Sequence, residues 1–523
     1  MGNQNKVPLE KKVFWIQTQN PTVMQNEARE KVRLRFSIIN PSPPKDYSIS
    51  LTTYSHNSQR TCLGSTSPIT AFSSRELNFP ETFILDYYFE RQQRIIFLIK
   101  YGTLTRTIET TLGSVMGSRK QMFTEQFGNN GETLQISGDT LRDNNTEIEF
   151  KVKAQCDKSM YFVIKTLGSN EQNLSMSLYK SEVIRPVNEQ VYESVNIPYM
   201  YIGSTNEYSK YNISLEVYDY NNQNKKIGEK TGSLNSFFRV DNRVELKTHK
   251  VHKFEFECKA TKKYKFVDYL RGGMQIALVF AIDFTSSNGE VTDPQSLHYV
   301  SSNSFNDYET AIYECGKIVA AYDYDQLFPV YGYGAQLFDG QTHHCFPLTF
   351  TDDPNVKGIE GVLALYKAVL PQIKLFGPTN FAPIIRKINN EVKEDLDKGN
   401  IWQYNIIMFL TDGQISDIDE TIDELVEASF LPISVIIIGI GNNDFRQMDI
   451  LDADDNPLYD KHQRQAARDL VQFVPFNQFR QNRQQLPEVV LEEVPRQVIE
   501  YYQLKNIPPN DPVLQVNSMY LNE

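Results

Sequence analysis

Five oxygen-bearing side chains in the C-terminal half of the chain could together hold a hard metal ion. Asp283, Thr285 and Ser287 follow one another at two-residue steps in AIDFTSSNG. Asp412 follows the apolar run IIMFLT, and Thr379 lies between the two acids in GPTN. Mg²⁺ and Mn²⁺ prefer oxygen ligands, and two carboxylates with three hydroxyls leave a coordination position open. The predicted chemistry is therefore capture of an acidic group by a bound Mg²⁺ or Mn²⁺.

Strands must bring these side chains to one place. Asp283 and Asp412 each follow a strand-like apolar run, at residues 275–282 and 405–410. The carboxyl ends of parallel strands meet at one edge of an open α/β sheet, where such sheets bind ligands. Each acid or hydroxyl could instead cap a helix, as Thr379 could after Pro378. Convergence of all five at one edge favours the metal site over separate caps.

The C-terminal half alternates apolar strands with amphipathic helices. A third strand is predicted at 433–440, and helices are predicted at 307–322, 359–370, 382–393, 417–428 and 486–504. This alternation is typical of a parallel sheet covered by helices on both faces. We therefore predict a doubly wound, Rossmann-like α/β domain over residues 273–505.

The N-terminal half is predicted to form two antiparallel β-sandwiches. Turn residues interrupt short strand patterns every eight to twelve positions between about residues 10 and 260, including 82–89, 94–101, 146–152 and 212–218. The segment 129–143, rich in Gly, Asn and Asp, is the predicted linker. The predicted domains are therefore 10–130, 144–260 and 273–505.

Composition narrows the class of protein. No apolar run reaches the roughly 18 residues needed to span a bilayer, and residues 1–6 (MGNQNK) lack an apolar signal region. The five cysteines are far apart, so neither a disulfide framework nor a zinc site is expected. Residues 261–523 carry 20 Lys and Arg against 37 Asp and Glu, a balance that repels nucleic acid. These features predict a cytoplasmic protein that binds no nucleic acid.

The chain resembles the copine family through most of its length, about residues 10–505. In the C-terminal half the similar segments are 266–273 (FVDYLRGG), 281–289, 296–299 (SLHY), 328–329, 333–335, 377–385 (GPTNFAPII), 410–413 (LTDG) and 471–476 (VQFVPF). In the N-terminal half they are 83–93 (FILDYYFERQQ), 112–113, 118–120 and 217–220.

The resemblance implies two tandem C2 domains followed by a von Willebrand A-like domain. It also implies calcium-dependent phospholipid binding by the C2 domains, and an A domain with a metal-ion-dependent adhesion site that recruits partner proteins. This chain keeps few of the acidic ligands that calcium requires, since each Ca²⁺ takes six to eight oxygens. The first sandwich offers Asp46, and the second offers Asp157, Asp219 and Asn221. Calcium binding by either sandwich is therefore doubtful, and Asp219 fits a turn residue better than a ligand.

Membrane attraction without calcium would depend on cations. In KVRLRF the period of two places Lys31, Arg33 and Arg35 on one strand face, opposite three apolar side chains. Each cation near an anionic surface contributes about 1 kcal/mol. These three residues are the candidate lipid-facing group, although a plain solvated strand face is the alternative. Gly2 could accept myristate, but Lys6 replaces the Ser or Thr of that motif.

The predicted function is a membrane-associated adaptor on the cytoplasmic face of the plasma membrane. Its expected partners are anionic phospholipids and proteins with acidic motifs. A calcium-independent scaffold without a membrane role is the alternative. An enzyme is not expected, because His343, His344 and Cys345 are adjacent without an identifiable third catalytic partner, and no phosphate loop or His-Glu-x-x-His motif occurs.

Overall fold

The computed structural model describes most of residues 30–510. The residues outside its described part are 1–29, 43–44, 55–59, 72–74, 119–121, 141–145, 157, 168–175, 184, 186, 192–193, 203–207, 239–241, 247–252, 454–455 and 511–523.

The described residues form two compact units. One contains residues between 142 and 264, and the other joins residues between 27 and 141 with those between 265 and 523. The second sandwich is thus a unit by itself, whereas the first sandwich packs with the α/β domain. The boundaries 10–130, 144–260 and 273–505 stay predictions.

The first sandwich consists of two antiparallel sheets. Its elements are β1 (Glu30–Ile39), β2 (Lys45–Tyr54), β3 (Arg60–Ser65), β4 (Ile69–Ala71), β5 (Glu76–Asn78), β6 (Phe83–Tyr87), β7 (Arg94–Tyr101), β8 (Leu104–Thr111), α1 (Leu112–Met116), β9 (Met122–Gln126) and β10 (Thr133–Thr140). One sheet has the order β5-β1-β10-β9 with β6 also on β1, and the other has β3-β2-β7-β8 with β4 also on β2. Alternating residues Val32, Leu34 and Phe36 of β1 are buried between the sheets.

The segment predicted as a linker contains a strand instead. β10 pairs with β1 over eight positions, from Val32 opposite Thr140 to Ile39 opposite Thr133. Leu134 and Ile136 are fully buried, because their spacing of two places both on the core face. The polar residues between them hid this alternation in the sequence.

The second sandwich repeats the two-sheet arrangement. Its elements are β11 (Thr146–Cys156), β12 (Met160–Leu167), β13 (Met176–Lys180), β14 (Val187–Val191), β15 (Val195–Pro198), β16 (Asn212–Asp219), β17 (Lys225–Ser233), α2 (Leu234–Phe237), β18 (Asn242–Arg243) and β19 (Lys253–Lys262). The sheet orders are β14-β11-β19-β18, with β15 on β11, and β13-β12-β16-β17. Phe150, Phe162 and Leu215 belong to the core between them.

The C-terminal domain has a mainly parallel sheet with helices on both faces. Its elements are α3 (Phe266–Arg271), β20 (Gln275–Asp283), α4 (Asp307–Val319), β21 (Leu327–Tyr333), β22 (Ala335–Gln336), β23 (Thr342–His343), β24 (Phe346–Pro347), β25 (Asn355–Lys357), α5 (Gly358–Val369), β26 (Lys374–Leu375), α6 (Ala382–Asp397), β27 (Gln403–Thr411), α7 (Ile418–Ala428), β28 (Ile433–Gly439), α8 (Arg446–Asp452), β29 (Val471–Pro475), α9 (Leu486–Val490) and α10 (Val494–Leu504).

The parallel strands have the order β21-β20-β27-β28-β29, and β24 and β25 are antiparallel additions to β21. Val279 packs with Ile385 of α6 and Leu425 of α7 in one core cluster. The next residue of β20, Phe280, points to the opposite face, against Gly316 of α4. Burial on both faces explains the continuous apolar runs of these strands, and the predicted fold class is confirmed.

The predicted helix at 486–504 is two helices. α9 ends at Val490 and α10 begins at Val494, with Pro495 in its first turn. Proline is tolerated there because the first turn of a helix needs no donor from its backbone nitrogen. The apolar period continues across the break, so sequence periodicity alone did not reveal it.

Aromatic side chains join the first sandwich to the α/β domain within their common unit. The hydroxyls of Tyr87 and Tyr322 lie 2.7 Å apart and are buried. The ring centroid of Phe89 lies 5.1 Å from that of Phe266 and 4.8 Å from that of Tyr322. Aromatic pairs at such separations stabilise the folded state by more than the burial of their apolar area alone.

Candidate metal centre

Asp283 is the last residue of β20 and is fully buried at the carboxyl edge of the sheet. Its Oδ1 accepts hydrogen bonds from the Thr285 backbone nitrogen (2.8 Å) and hydroxyl (2.7 Å). Its Oδ2 accepts from the Thr411 hydroxyl at 2.9 Å and from the Asp412 nitrogen at 3.5 Å. The two-residue step thus folds Thr285 back onto the acid that precedes it.

Ser287 connects the first loop to the second carboxylate. Its hydroxyl lies 2.9 Å from that of Thr285 and donates to Oδ1 of Asp412 at 3.0 Å. Oδ2 of Asp412 is buried and has no hydrogen-bond partner. Four of the five candidate ligands therefore form one hydrogen-bonded cluster. Because buried polar atoms normally have a partner, Oδ2 of Asp412 is available to bind a further group.

Both carboxyl groups are hard to ionise without a cation. Burial raises the pKa of Asp283, although hydrogen bonds from Thr285 and Thr411 offset part of this effect. Burial, followed by repulsion from Asp283, raises the pKa of Asp412. Two buried carboxylates at one edge favour either a proton or a positive ion between them.

Thr379 lies in the neighbouring loop. Its backbone oxygen accepts from the Ser416 nitrogen at 2.7 Å, which ties this loop to the segment after Asp412. The Thr379 side chain is buried, yet within the described residues its hydroxyl has no hydrogen bond to the other four candidates. Oδ1 of the adjacent Asn380 is buried without a partner. Thr379 is therefore the one candidate ligand that has no hydrogen bond to the other four in the described part of the chain.

A buried histidine that the sequence analysis did not single out supports the first loop from behind. Nε2 of His298 lies 2.8 Å from the main-chain oxygen of Asp283, so this nitrogen carries the proton and donates. Nδ1 accepts from the Tyr366 hydroxyl at 2.7 Å. Burial lowers the pKa of His298 to about 3, which keeps the ring neutral. The Tyr308 hydroxyl donates to Oδ1 of Asn288 at 2.7 Å on the same side.

The donors at this edge suit a hard ion. In the described part of the chain, no group of three or more His, Cys, Asp and Glu side chains is placed to hold a metal. The cluster offers two carboxylates and hydroxyls only, which match Mg²⁺ or Mn²⁺ better than a metal that prefers nitrogen or sulfur.

Among the described residues, two calcium candidates of the sandwiches, Asp219 and Asp46, already have hydrogen-bond partners. Oδ1 of Asp219 accepts from the backbone nitrogens of Asn221 (3.1 Å) and Asn222 (3.2 Å), as expected of a turn residue. Its Oδ2 lies 3.6 Å from Nζ of Lys158. Asp46 lies within β2, where it accepts from the Thr70 hydroxyl. Asp157 lies outside the described residues.

The three lipid-facing candidates share one face of β1. Lys31 and Arg35 are exposed and Arg33 is half-buried, as the alternating pattern predicts. Lys31 stands opposite Asp86 of β6, and Arg33 stands opposite Ile84, whose side chain is 53% exposed. An acid beside Lys31 reduces the positive potential at this end of the strand.

Two of the residues considered for catalysis, His343 and Cys345, lie in different surroundings. Nε2 of His343 lies 2.7 Å from Oδ2 of Asp339 in the exposed turn between β22 and β23. Burial raises the pKa of the Cys345 thiol to about 11, the opposite of what a nucleophilic thiolate requires. Among the described helices, none is long and apolar enough to cross a membrane.

Fold and site together define a class: two antiparallel β-sandwiches are followed along the chain by a mainly parallel α/β domain with acids and hydroxyls at its strand ends. Residues 296–510 match the copine family model. Residues 296–510 therefore form a copine domain, and its place in the chain after two antiparallel sandwiches fits a copine architecture, so the resemblance seen in the sequence is confirmed.

Solved structures match at low overall similarity. The calcium-bound tandem C2 domains of extended synaptotagmin 2 are 11% identical and cover 45% of this chain and 98% of their own, with a TM-score of 0.18. Manganese-loaded TRAP protein of Plasmodium vivax is 13% identical. The match covers 39% of this chain and 70% of the TRAP chain, with a TM-score of 0.25. Proximal thread matrix protein 1 of the mussel byssus, with a zinc-occupied MIDAS motif, is 16% identical. The match covers 42% of this chain and 47% of the mussel protein, with a TM-score of 0.25. Scores this low add nothing to the fold class, which rests on the sheets themselves.

Proposed function

We propose that the A-type domain binds Mg²⁺ or Mn²⁺ and uses it to capture acidic motifs of partner proteins. The unpartnered Oδ2 of Asp412, inside a cluster otherwise closed by hydrogen bonds, is the observation that carries the proposal. Asp283 and Asp412 would supply the negative charge, and Thr285, Ser287 and Thr379 would supply neutral oxygens. A bound divalent cation would attract a carboxylate into a coordination position that these residues leave open.

Calorimetric titration of the full chain with MnCl₂ tests this site. Asp283→Asn keeps the size of the side chain but removes one charge, so Mn²⁺ affinity should fall at least about 10-fold, the loss that even outer-shell changes produce. Asp352→Asn, which removes an exposed acid from a loop after β24, is the matched control and should bind as the wild type does. Unchanged Mn²⁺ affinity in Asp283→Asn would contradict the proposal. Thr379→Val then tests whether this hydroxyl is a ligand.

The sandwiches are proposed to dock the protein on anionic phospholipid at the cytoplasmic face of the plasma membrane. The copine architecture supports this role, and calcium-dependent phospholipid binding is the activity that the family suggests. In this chain Nζ of Lys158 lies 3.6 Å from Oδ2 of Asp219, so this candidate calcium ligand already has a cation beside it. That contact favours attraction through cations such as Lys31, Arg33 and Arg35 over calcium bridging.

Sedimentation with phosphatidylserine vesicles separates the two modes. Binding through cations should persist in EGTA and weaken as salt rises, because mobile ions screen exposed charges. The triple variant Lys31→Gln, Arg33→Gln, Arg35→Gln should sediment less than the wild type at low salt. Sedimentation only in the presence of calcium would show that the sandwiches retain working calcium sites. Absence of sedimentation at any salt would favour the calcium-independent protein scaffold.

A further inference from the structure

An aromatic side chain on a hydrogen-bonded backbone is exposed beside the candidate metal centre. Phe376, directly after β26, is 47% exposed. Its backbone nitrogen donates to the oxygens of Phe284 (3.2 Å) and Gly334 (3.0 Å), and its oxygen accepts from the Ser286 nitrogen at 2.9 Å. Three backbone hydrogen bonds hold the main chain from which this large apolar ring projects, and the core does not bury the ring.

These bonds place Phe376 next to the ligand loop. Ser286 lies between the candidate ligands Thr285 and Ser287, and Thr285 itself forms a parallel bridge with Phe376. Phe284 follows Asp283 directly in sequence. The segment that carries the ring is therefore hydrogen-bonded to the residues on both sides of Thr285, one of the candidate metal ligands.

The backbone beside the ring is open, and one exposed cation lies near the ring. Gly377 follows at φ +140°, a backbone conformation unfavourable for other residues, and a Cβ built there meets nothing within 4 Å. Nζ of the exposed Lys374 lies 5.8 Å from the centre of the Phe376 ring. An apolar contact, a cation and space for a partner's backbone thus occur together at the edge of the site.

We propose that Phe376 determines specificity by packing against an apolar side chain next in sequence to the carboxylate that the metal captures. The preferred partner is then an acidic peptide with a large apolar neighbour, and Lys374 adds attraction for its negative charge. This inference rests on the proposed metal-dependent function. Burying the exposed half of a phenylalanine should change the dissociation constant by about 10- to 50-fold.

A synthetic peptide array tests the proposal with the full chain in MnCl₂. Each peptide carries one central Asp, and the residues directly before and after it are varied through all side chains. Wild-type protein should favour Leu, Ile, Met or Phe on one side of the Asp over Ser or Gly. Phe376→Ser should lose this preference, whereas Phe338→Ser, which changes a phenylalanine 75% exposed in the β22–β23 turn, should keep it.

Direct Mn²⁺ titration distinguishes the failure of this inference from that of the proposed function. Absence of Mn²⁺ binding would overturn both. Normal Mn²⁺ binding with no peptide retained would overturn both the capture of acidic motifs and the role of Phe376. Retained peptides without an apolar preference, or an equal change in both serine variants, would overturn the role of Phe376 alone. Normal Mn²⁺ affinity in Phe376→Ser shows that the variant is folded at the site, so its loss of preference supports the proposal.

Discussion

Replacing Glu30 with Gln should change how stability depends on pH. Glu30 begins β1 and is buried, 8% exposed, where the first sandwich meets the α/β domain. Its Oε1 accepts from the Val267 nitrogen at 3.3 Å, and its Oε2 has no partner. Burial raises the pKa of Glu30 from 4.5 to about 7, and the smaller effects of Lys265 and Asp268 oppose each other.

The sign and size follow from proton linkage. Below pH 4.5 the carboxyl is protonated in both folded and unfolded chains, so its burial carries no ionisation penalty. As pH rises toward 7 the unfolded chain releases the proton while the folded chain retains it, and the free energy of unfolding falls. The pKa difference corresponds to a loss of roughly 3 kcal/mol above pH 7. Glu30→Gln cannot ionise and should escape this loss.

Urea unfolding at pH 4.5 and pH 8 measures the effect. Trp402 lies in the same compact unit and its ring is 5.7 Å from that of Tyr502, so its fluorescence reports on that unit. Trp15→Phe removes the other tryptophan of the sequence and serves as the common background. At each pH, the free energy of unfolding of the Glu30 protein is subtracted from that of the Glu30→Gln variant. This difference should be about 3 kcal/mol larger at pH 8 than at pH 4.5.

Comparing the two proteins at two pH values cancels the pH-independent effect of the introduced amide and the contribution of every other titrating group to the free energy of unfolding. A difference that stays constant to within about 0.5 kcal/mol between the two pH values would refute the reasoning. Glu30 would then ionise in the folded protein with its ordinary pKa, and its environment would have to be wetter than the structure indicates.

Two further predictions concern the candidate metal centre. His298 stays neutral in the folded protein, whereas the unfolded chain binds a proton at this residue below pH 6.5. The free energy of unfolding should therefore fall by about 1.4 kcal/mol per pH unit between pH 6.5 and about 3. Acid denaturation of His298→Gln should lack this contribution. Gly334→Ala should weaken Mn²⁺ binding measured by calorimetry, because its φ is +75° and its Cβ would lie 2.3 Å from Cγ2 of Thr285. Gly340→Ala, with φ +74° and nothing within 4 Å of its Cβ, is the control and should bind Mn²⁺ normally.

The strands that are continuously apolar, and the acids that follow them, could be predicted from the sequence. β20, β27 and β28 are buried on both faces, so their composition alone marks them. β10 escaped prediction because only alternate residues are apolar and Gly138 interrupts them. Its pairing with β1, which sets Thr140 opposite Val32, joins distant parts of the chain and leaves no local signal.

The same distinction applies to the site. Asp283, Thr285 and Ser287 are close together in the sequence, so their residue types and spacing indicated the hydrogen-bonded loop. The His298 ring depends on Tyr366, 68 residues away, and no local pattern marks such a pair. Whether the Thr379 hydroxyl turns toward the cluster depends on side-chain rotation, which residue type does not specify.

The path of the chain has a mechanical consequence. The polypeptide leaves one compact unit at residue 141, builds the second sandwich, and returns to the same unit at residue 265. A pull on the second sandwich therefore loads two tethers in parallel, each bearing part of the force. A sandwich at the end of a chain would instead transmit the whole force through its single connection.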